Sequence, residues 1–358
     1  MTKFFKATLC VLLVLSLSFT VFASGTKETG KLKIGVAMPT KSLQRWNQDG
    51  AYLKEKLEAK GFTVDLQYAN NDVPTQVSQL ENMITTGCKV LVIASIDGTA
   101  LKGVLDQAAK AKVLVIAYDR LIRETPNCDY YATFDNYKVG KIQGDFIVEA
   151  LKLKSGAGPF NLEVFGGSPD DNNAYLFNKG AMDVLQPYID SGKLVINSGQ
   201  TDMKIIAIPK WAPPVAQARM DNLLSAYYTD KKVDVILSPN DSLAQGIVAS
   251  LKAAGYGTAE KPYPVLTGQD CDIMNVKMMI AGEQSMSVFK DTRTLAERVV
   301  TMITEIQEGK QVTVNDTKSY NNGVKVVPSY LCEPVFASKD NYKKLLIDSH
   351  YYTEDQLK

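Results

Sequence analysis

The chain sets charged, amide and indole side chains where short apolar runs stop. Asp119 and Arg120 follow the run Val113–Ala117 and Tyr118. A carboxylate accepts two hydroxyl hydrogens and a guanidinium donates a fork of N–H groups. Such a pair can serve neighbouring hydroxyls of one small molecule, each charge compensating the other as water leaves; a strand-end ion pair of little worth is the plainer reading. After the run Lys33–Met38 comes Pro39–Trp46, in which Lys41 and Arg45 flank the approach to Trp46. An indole face suits the apolar face that a sugar ring presents through its axial C–H groups. A tryptophan pinned to its own lobe at a helix start is the alternative. Trp211, before Pro213 and Pro214, is the second and last tryptophan. Two indoles on separate loops can sandwich a pyranose; a core tryptophan under the loop is the competing reading.

The segment Phe165–Asn173 carries Ser168, Asp170, Asp171, Asn172 and Asn173. One helix cap needs one such side chain. The surplus points to one or two of Asp171, Asn172 and Asn173 facing a ligand, with the register open. Asn240, Asp270 and Lys290 each stand at or just past an apolar run. Asn240 offers donor and acceptor, Asp270 accepts bidentately, and Lys290 supplies a cation, while Asp241 reads as the N-cap of the next helix. Lys41, Arg45, Arg120 and Lys290 balance Asp119, Asp171, Asp241 and Asp270. A neutral ligand fits that balance better than a free carboxylate.

No catalytic set emerges. The single histidine, His350, leaves no His-based triad and no His-rich zinc site. The carboxylates are spread along the chain and matched to cations, which ranks glycoside hydrolysis low. Gly166-Gly167 lacks the G-x-G-x-x-G spacing and no Walker lysine follows. No cofactor and no metal are expected. No basic stripe exists, so nucleic acid is not an expected partner.

The elements that must position these groups alternate. Lys33–Met38, Thr63–Gln67, Val90–Ala94 and Val113–Ala117 read as strands, the last two as runs buried on both faces. Helical spacing lies between them, at Trp46–Leu57, Gln76–Ile84 and Leu101–Ala111. The pattern restarts at Asn161–Phe165 and runs through Val233–Leu237 to Pro264–Leu266. The fold class is α/β, two doubly wound parallel-sheet lobes. Open parallel sheets bind ligands outside the carboxyl ends of their strands, which is where the groups above stand. Crossings between lobes are expected at Tyr131–Phe134, Ser285–Phe289 and Val324–Val327, forming a hinge. The expected division is residues 30–133 with 290–323 for the N-terminal lobe and 134–289 with 324–358 for the C-terminal lobe.

Residues 1–23 read as a secretory signal peptide: Lys3 and Lys6, an apolar run from Leu9 to Phe22, then Val21 and Ala23 at small-residue cleavage spacing. Cys10 opens the apolar run, so free release is favoured over a lipid anchor. The remaining chain carries Cys88, Cys128, Cys271 and Cys332, with disulfides and buried thiols both open.

At IGVAMPTKSLQRW (34–46), VIAYDRLI (115–122), FGGSPDDNNA (165–174) and NGVKVVPSYL (322–331) the chain resembles the periplasmic sugar-binding proteins of ABC importers, of the ribose/galactose/xylose type. The resemblance covers the whole chain after the signal segment and implies a periplasmic binding protein-like fold of class I. It implies sugar-binding roles for Asp119, Arg120, Trp46 with Lys41 and Arg45, Trp211, Asn240, Asp270 and Lys290. It also implies one polar group among Asp171, Asn172 and Asn173. The implied function is capture of a monosaccharide of xylose, glucose, galactose or arabinose type in the periplasm, with delivery to the transmembrane subunits of an ABC permease and no enzymatic step. Presentation to a chemoreceptor or sensor kinase is the alternative.

Overall fold

The computed structural model describes residues 32–358, and the expected signal segment and Cys10 lie outside the described residues. The first lobe begins with β1 (Lys33–Met38), α1 (Gln44–Ala59), β2 (Thr63–Tyr68), α2 (Val73–Thr85) and β3 (Val90–Ile93). It continues through α3 (Lys102–Lys110), β4 (Leu114–Tyr118) and β5 (Tyr130–Phe134). Unbroken apolar runs such as VLVI in β3 follow from burial on both faces. Val36, Val92, Ile116 and Tyr118 pack into one core layer, and Ala37, Leu91, Val115 and Ala117 into the opposite one.

The second lobe runs α4 (Asn136–Ala150), β6 (Phe160–Val164), α5 (Asn172–Asp190), β7 (Leu194–Val195) and the short α6 (Met203–Ile206). Then come α7 (Pro213–Tyr227), β8 (Val235–Leu237), α8 (Asp241–Ala253), β9 (Val265–Leu266), α9 (Ile273–Ala281) and β10 (Ser287–Phe289). The chain closes with α10 (Thr292–Gln307), β11 (Ser329–Cys332) and β12 (Val335–Ala337).

The first sheet has the order β11-β5-β4-β3-β1-β2 and the second β7-β6-β8-β9, with every pairing parallel. Both orders reverse beside their first strand, β1 and β6. Each lobe therefore opens a crevice at the carboxyl ends of its strands. β10 joins the second sheet by a parallel bridge, Gln269 to Val288, and pairs antiparallel with β12.

The chain passes between lobes after β5, after β10 and between β11 and β12. The third passage corrects the sequence reading. Ser329–Cys332 pairs with Tyr131–Phe134 in the first sheet, so the crossing lies at Cys332–Val335 and not at Val324–Val327. The expected boundary at residue 324 moves with it. A four-residue edge strand directly after Pro328 gives little periodicity to read. Asp135 and Asp291 cap α4 and α10 just past two of the crossings, accepting from Lys138 N and Arg293 N.

Helices α4 and α5 touch backbone to backbone. A Cβ at Gly140 would stand 2.0 Å from the Phe177 carbonyl oxygen, and one at Gly180 2.0 Å from that of Tyr137. The four cysteines among the described residues are buried and unbridged. No helix among the described residues is long and apolar enough to cross a membrane.

Candidate functional site

The carboxyl ends of both sheets face one cavity. The first lobe supplies Arg45 and Trp46 from α1 and Asp119 and Arg120 from the end of β4. The second supplies Asp171 and Asn173 at the start of α5, Trp211 before α7, Asn240 after β8, Asp270 after β9 and Lys290 after β10.

Arg45 is the centre of the charge network. Its Nε lies 3.0 Å from Asp49 Oδ2, one Nη 3.0 Å from Asp119 Oδ2 and the other 3.4 Å from Asp270 Oδ1. Arg120 Nε lies 3.0 Å from Asp171 Oδ2 and its Nη1 donates to the Ser95 carbonyl. Lys290 Nζ lies 3.0 Å from Asp270 Oδ1. Two of these pairs, Arg45–Asp270 and Arg120–Asp171, join the lobes. Both guanidiniums stack on Trp46, at 4.6 Å for Arg45 and 5.1 Å for Arg120. This indole holds the two forks in place, a use of its ring beyond covering a ligand. Trp211 Nε1 donates to Asp171 Oδ2 at 3.2 Å, and its ring meets Phe177 edge-on.

Asp119 sits in the left-handed region, at φ 59°. Its carbonyl accepts from Tyr131 Oη, Thr133 Oγ1 and Asn173 Nδ2, at 2.6, 2.9 and 2.8 Å. Three donors fix a conformation that costs free energy in isolation. Burial works to raise the Asp119 carboxyl, but Arg45, Lys290 and Arg120 outweigh it and hold it below the ordinary range. Burial raises Asp171 despite Arg120. Burial also pushes Asp49 up to about 6 against the pull of Arg45. Tyr118 donates to Asp49 at 2.5 Å behind the cavity.

Ten of the twelve residues singled out in the sequence line this cavity; Lys41 and Asn172 do not. Lys41 lies in the exposed bend before α1, its ammonium 5.0 Å from the Tyr68 ring centre. Asn172 is the first residue of α5, turned off the face that its neighbours Asp171 and Asn173 share. Asp171 is both cap and cavity residue, accepting from Asn173 N. Asn240, not Asp241, caps α8 through Leu243 N. Asp241 is wholly buried and accepts from Gln284, Ser287 and the amide of Asp272. Its place in the balance of charges passes to others: Asp272 also lines the cavity, and Asp49 stands behind it. Ser242, Gln269, Leu43 and Phe177 complete the wall without having been singled out.

A sequence model of the periplasmic binding protein domain matches residues 34–311. The chain belongs to the periplasmic binding protein family. This periplasmic binding protein is 55% identical over 353 residues to the multiple sugar-binding periplasmic receptor ChvE of Rhizobium radiobacter, covering 99% of its own length and 100% of the relative's. It is 36% identical over 350 residues to the D-xylose-binding periplasmic protein of Escherichia coli, covering 98% of each chain. Among solved structures it is similar to an ABC transporter solute binding protein from Clostridium phytofermentans with bound β-D-glucose. That likeness has 58% identity and a TM-score of 0.88, over 91% of this chain and 100% of that one.

Proposed function

We propose that this binding protein captures a neutral monosaccharide of the glucose, xylose, galactose or arabinose type between its lobes. It then presents the closed complex to the permease of an ABC sugar importer. The observation that carries the reading is the charge inventory of the cavity. Arg45, Arg120 and Lys290 face Asp119, Asp171, Asp270 and Asp272 within one wall. A ligand carboxylate would add a further anion to a buried set already richer in carboxylates than cations. A polyol adds none, and it offers each charged group a hydroxyl to donate or accept. Trp211 and Phe177 give the ring an apolar wall. The names of the relatives, and the glucose in the similar structure, support the same class of ligand and a periplasmic location.

Closure is a population shift, since the sugar bridges groups held on different lobes. The proposed division assigns residues 32–134, with 292–332, to the first lobe, and 136–289, with 335–358, to the second. The closed face is also what a chemoreceptor or sensor kinase would read, consistent with the word receptor in one relative's name. No group in the cavity has a bond-breaking task in this reading.

Titration calorimetry with glucose, xylose, galactose and arabinose is the test, with glucuronic acid and an amino acid as controls. Micromolar or tighter binding of at least one aldose, about −8 kcal/mol or better, is expected. Binding of a control and of no aldose would overturn the reading.

A further inference from the structure

A second cavity adjoins the first at the mouth of the cleft. The two share Leu43, Trp211, Ser242 and Asp272 as a common wall. The outer cavity draws Asn70 and Asn71 from the first lobe and Lys210, Pro213 and Gln245 from the second. It is thus built by both lobes and faces the same closing cleft. Two consecutive left-handed residues stand on each side: Asn70 and Asn71 at φ 53° and 56°, Lys210 and Trp211 at φ 58° and 53°. Asparagine tolerates this region, but at Lys210 and Trp211 it is costly, and such conformations collect at ligand clamps.

The junction holds an independent sign of a ligand. Asp272 is only 6% exposed, and its buried Oδ1 has no hydrogen-bond partner. A buried acceptor without a donor is expensive, and native proteins satisfy such groups. Asp272 lines both cavities, so a hydroxyl crossing from one to the other would meet it. The outer wall mixes amides, from Asn70, Asn71 and Gln245, with the apolar surfaces of Pro213 and Trp211. Amide donors and acceptors beside an apolar face suit a sugar ring, and the wall's one cation, Lys210, is matched by one carboxyl, Asp272.

We propose that the outer cavity is a subsite for the substituent of a bound pyranose. The protein would then take a neutral disaccharide as well as a free monosaccharide, with Asp272 accepting a hydroxyl at the junction. The inference rests on the monosaccharide reading above and extends the same cleft outward.

Calorimetry on the protein lacking its signal segment, with D-glucose, maltose, cellobiose and gentiobiose, tests it. At least one disaccharide should bind within about tenfold of glucose. The double variant Asn71→Gly, Gln245→Ala should weaken that disaccharide by about tenfold or more while leaving glucose within about twofold. Glycine tolerates the left-handed backbone of position 71, and thermal melting checks that the variant is folded. Glucose binding with no disaccharide binding at millimolar concentration would overturn the subsite and leave the monosaccharide reading intact. Equal weakening of both ligands in the double variant would also overturn it. Failure of glucose and all three disaccharides, with no other aldose bound, would instead bring down the monosaccharide reading.

Discussion

Arg45 and Asp270 meet across the cleft, Nη1 to Oδ1 at 3.4 Å, one from the first helix of the first lobe and one from the second lobe. Asp270 also pairs with Lys290, and Arg45 with Asp49 and Asp119. One contact thus joins the charged groups of both lobes into a single buried network. Removing Arg45 leaves Asp49 and Asp119 without their paired cation and Asp270 with Lys290 alone. Arg45→Ala should weaken sugar binding by about 100-fold or more, as expected when one member of a buried pair is lost. Arg45→Lys should recover only part, because an ammonium cannot serve three carboxylates with a planar fork. Calorimetry on the two variants checks this, and an Ala variant within about threefold of wild type would contradict it.

Asp119 and Asp241 should fail differently. Asp119→Ala removes a cavity acceptor and should act on affinity. Asp241→Ala strands the buried donors of Gln284, Ser287 and Asp272 N, and should cost about 2–4 kcal/mol of folding stability. Calorimetry and urea denaturation on both proteins separate the effects. Equal affinity losses would show that the two roles are not distinct.

Gly167 bears on the ligand without lining the cavity. A Cβ there would fall 2.0 Å from the Trp211 ring. Gly167→Ala should therefore push the indole out of place and weaken sugar binding by about tenfold or more. A change in tryptophan emission should accompany the loss. Unaltered affinity and emission would place the ring elsewhere.

Asp49 makes stability depend on pH with an unusual sign. Its carboxyl releases its proton near 6 in the fold against an ordinary value of 3.8. Between those values the native state holds more protons than the unfolded chain, so this group's contribution falls as pH rises. Wild type should lose up to about 3 kcal/mol relative to Asp49→Asn between about pH 4 and pH 7. Asp119 works the opposite way, since its lowered carboxyl adds stability that disappears on acidification. Urea denaturation across this range, wild type against variant, isolates the Asp49 part. A difference that does not change with pH would contradict it.

The lobes should close on sugar. Three passages, after Phe134, after Phe289 and at Cys332–Val335, link two separately cored sheets. Small-angle scattering should show a smaller radius of gyration with saturating sugar than without it. An unchanged radius in a sample that binds by calorimetry would mean that the lobes are fixed.

Much of the site was legible because a parallel sheet puts chemistry where its apolar runs end. Asp119-Arg120, Asp270 and Lys290 announce themselves by position alone. Asp49 does not: it sits inside a helix, and its one signal is Arg45 four residues earlier on the same face. Asn240 and Asp241 are both good caps, so sequence could not tell which one held Leu243 N and which one was buried. Lys41 stands four residues before Arg45, yet it lies in the bend before α1 and turns outward, and loop direction leaves no periodic trace. Asp272 looks like an ordinary N-cap, and only its burial and its unpartnered oxygen mark it out.

The glycine contacts between α4 and α5 bear on how motion reaches the ligand. Asp135, just past the first crossing, starts α4, and Asp171, in the cleft, starts α5. With Gly140 against Phe177 and Gly180 against Tyr137, no side chain lies between the two backbones to absorb a displacement. The two main chains are in direct contact, so a shift of α4 should carry α5, and Asp171 at its start, along with it. A single methyl at position 180, which lines neither cavity, would force the two helices apart and should displace that carboxylate. The grip on the ligand is therefore set partly by how closely two stretches of main chain can approach.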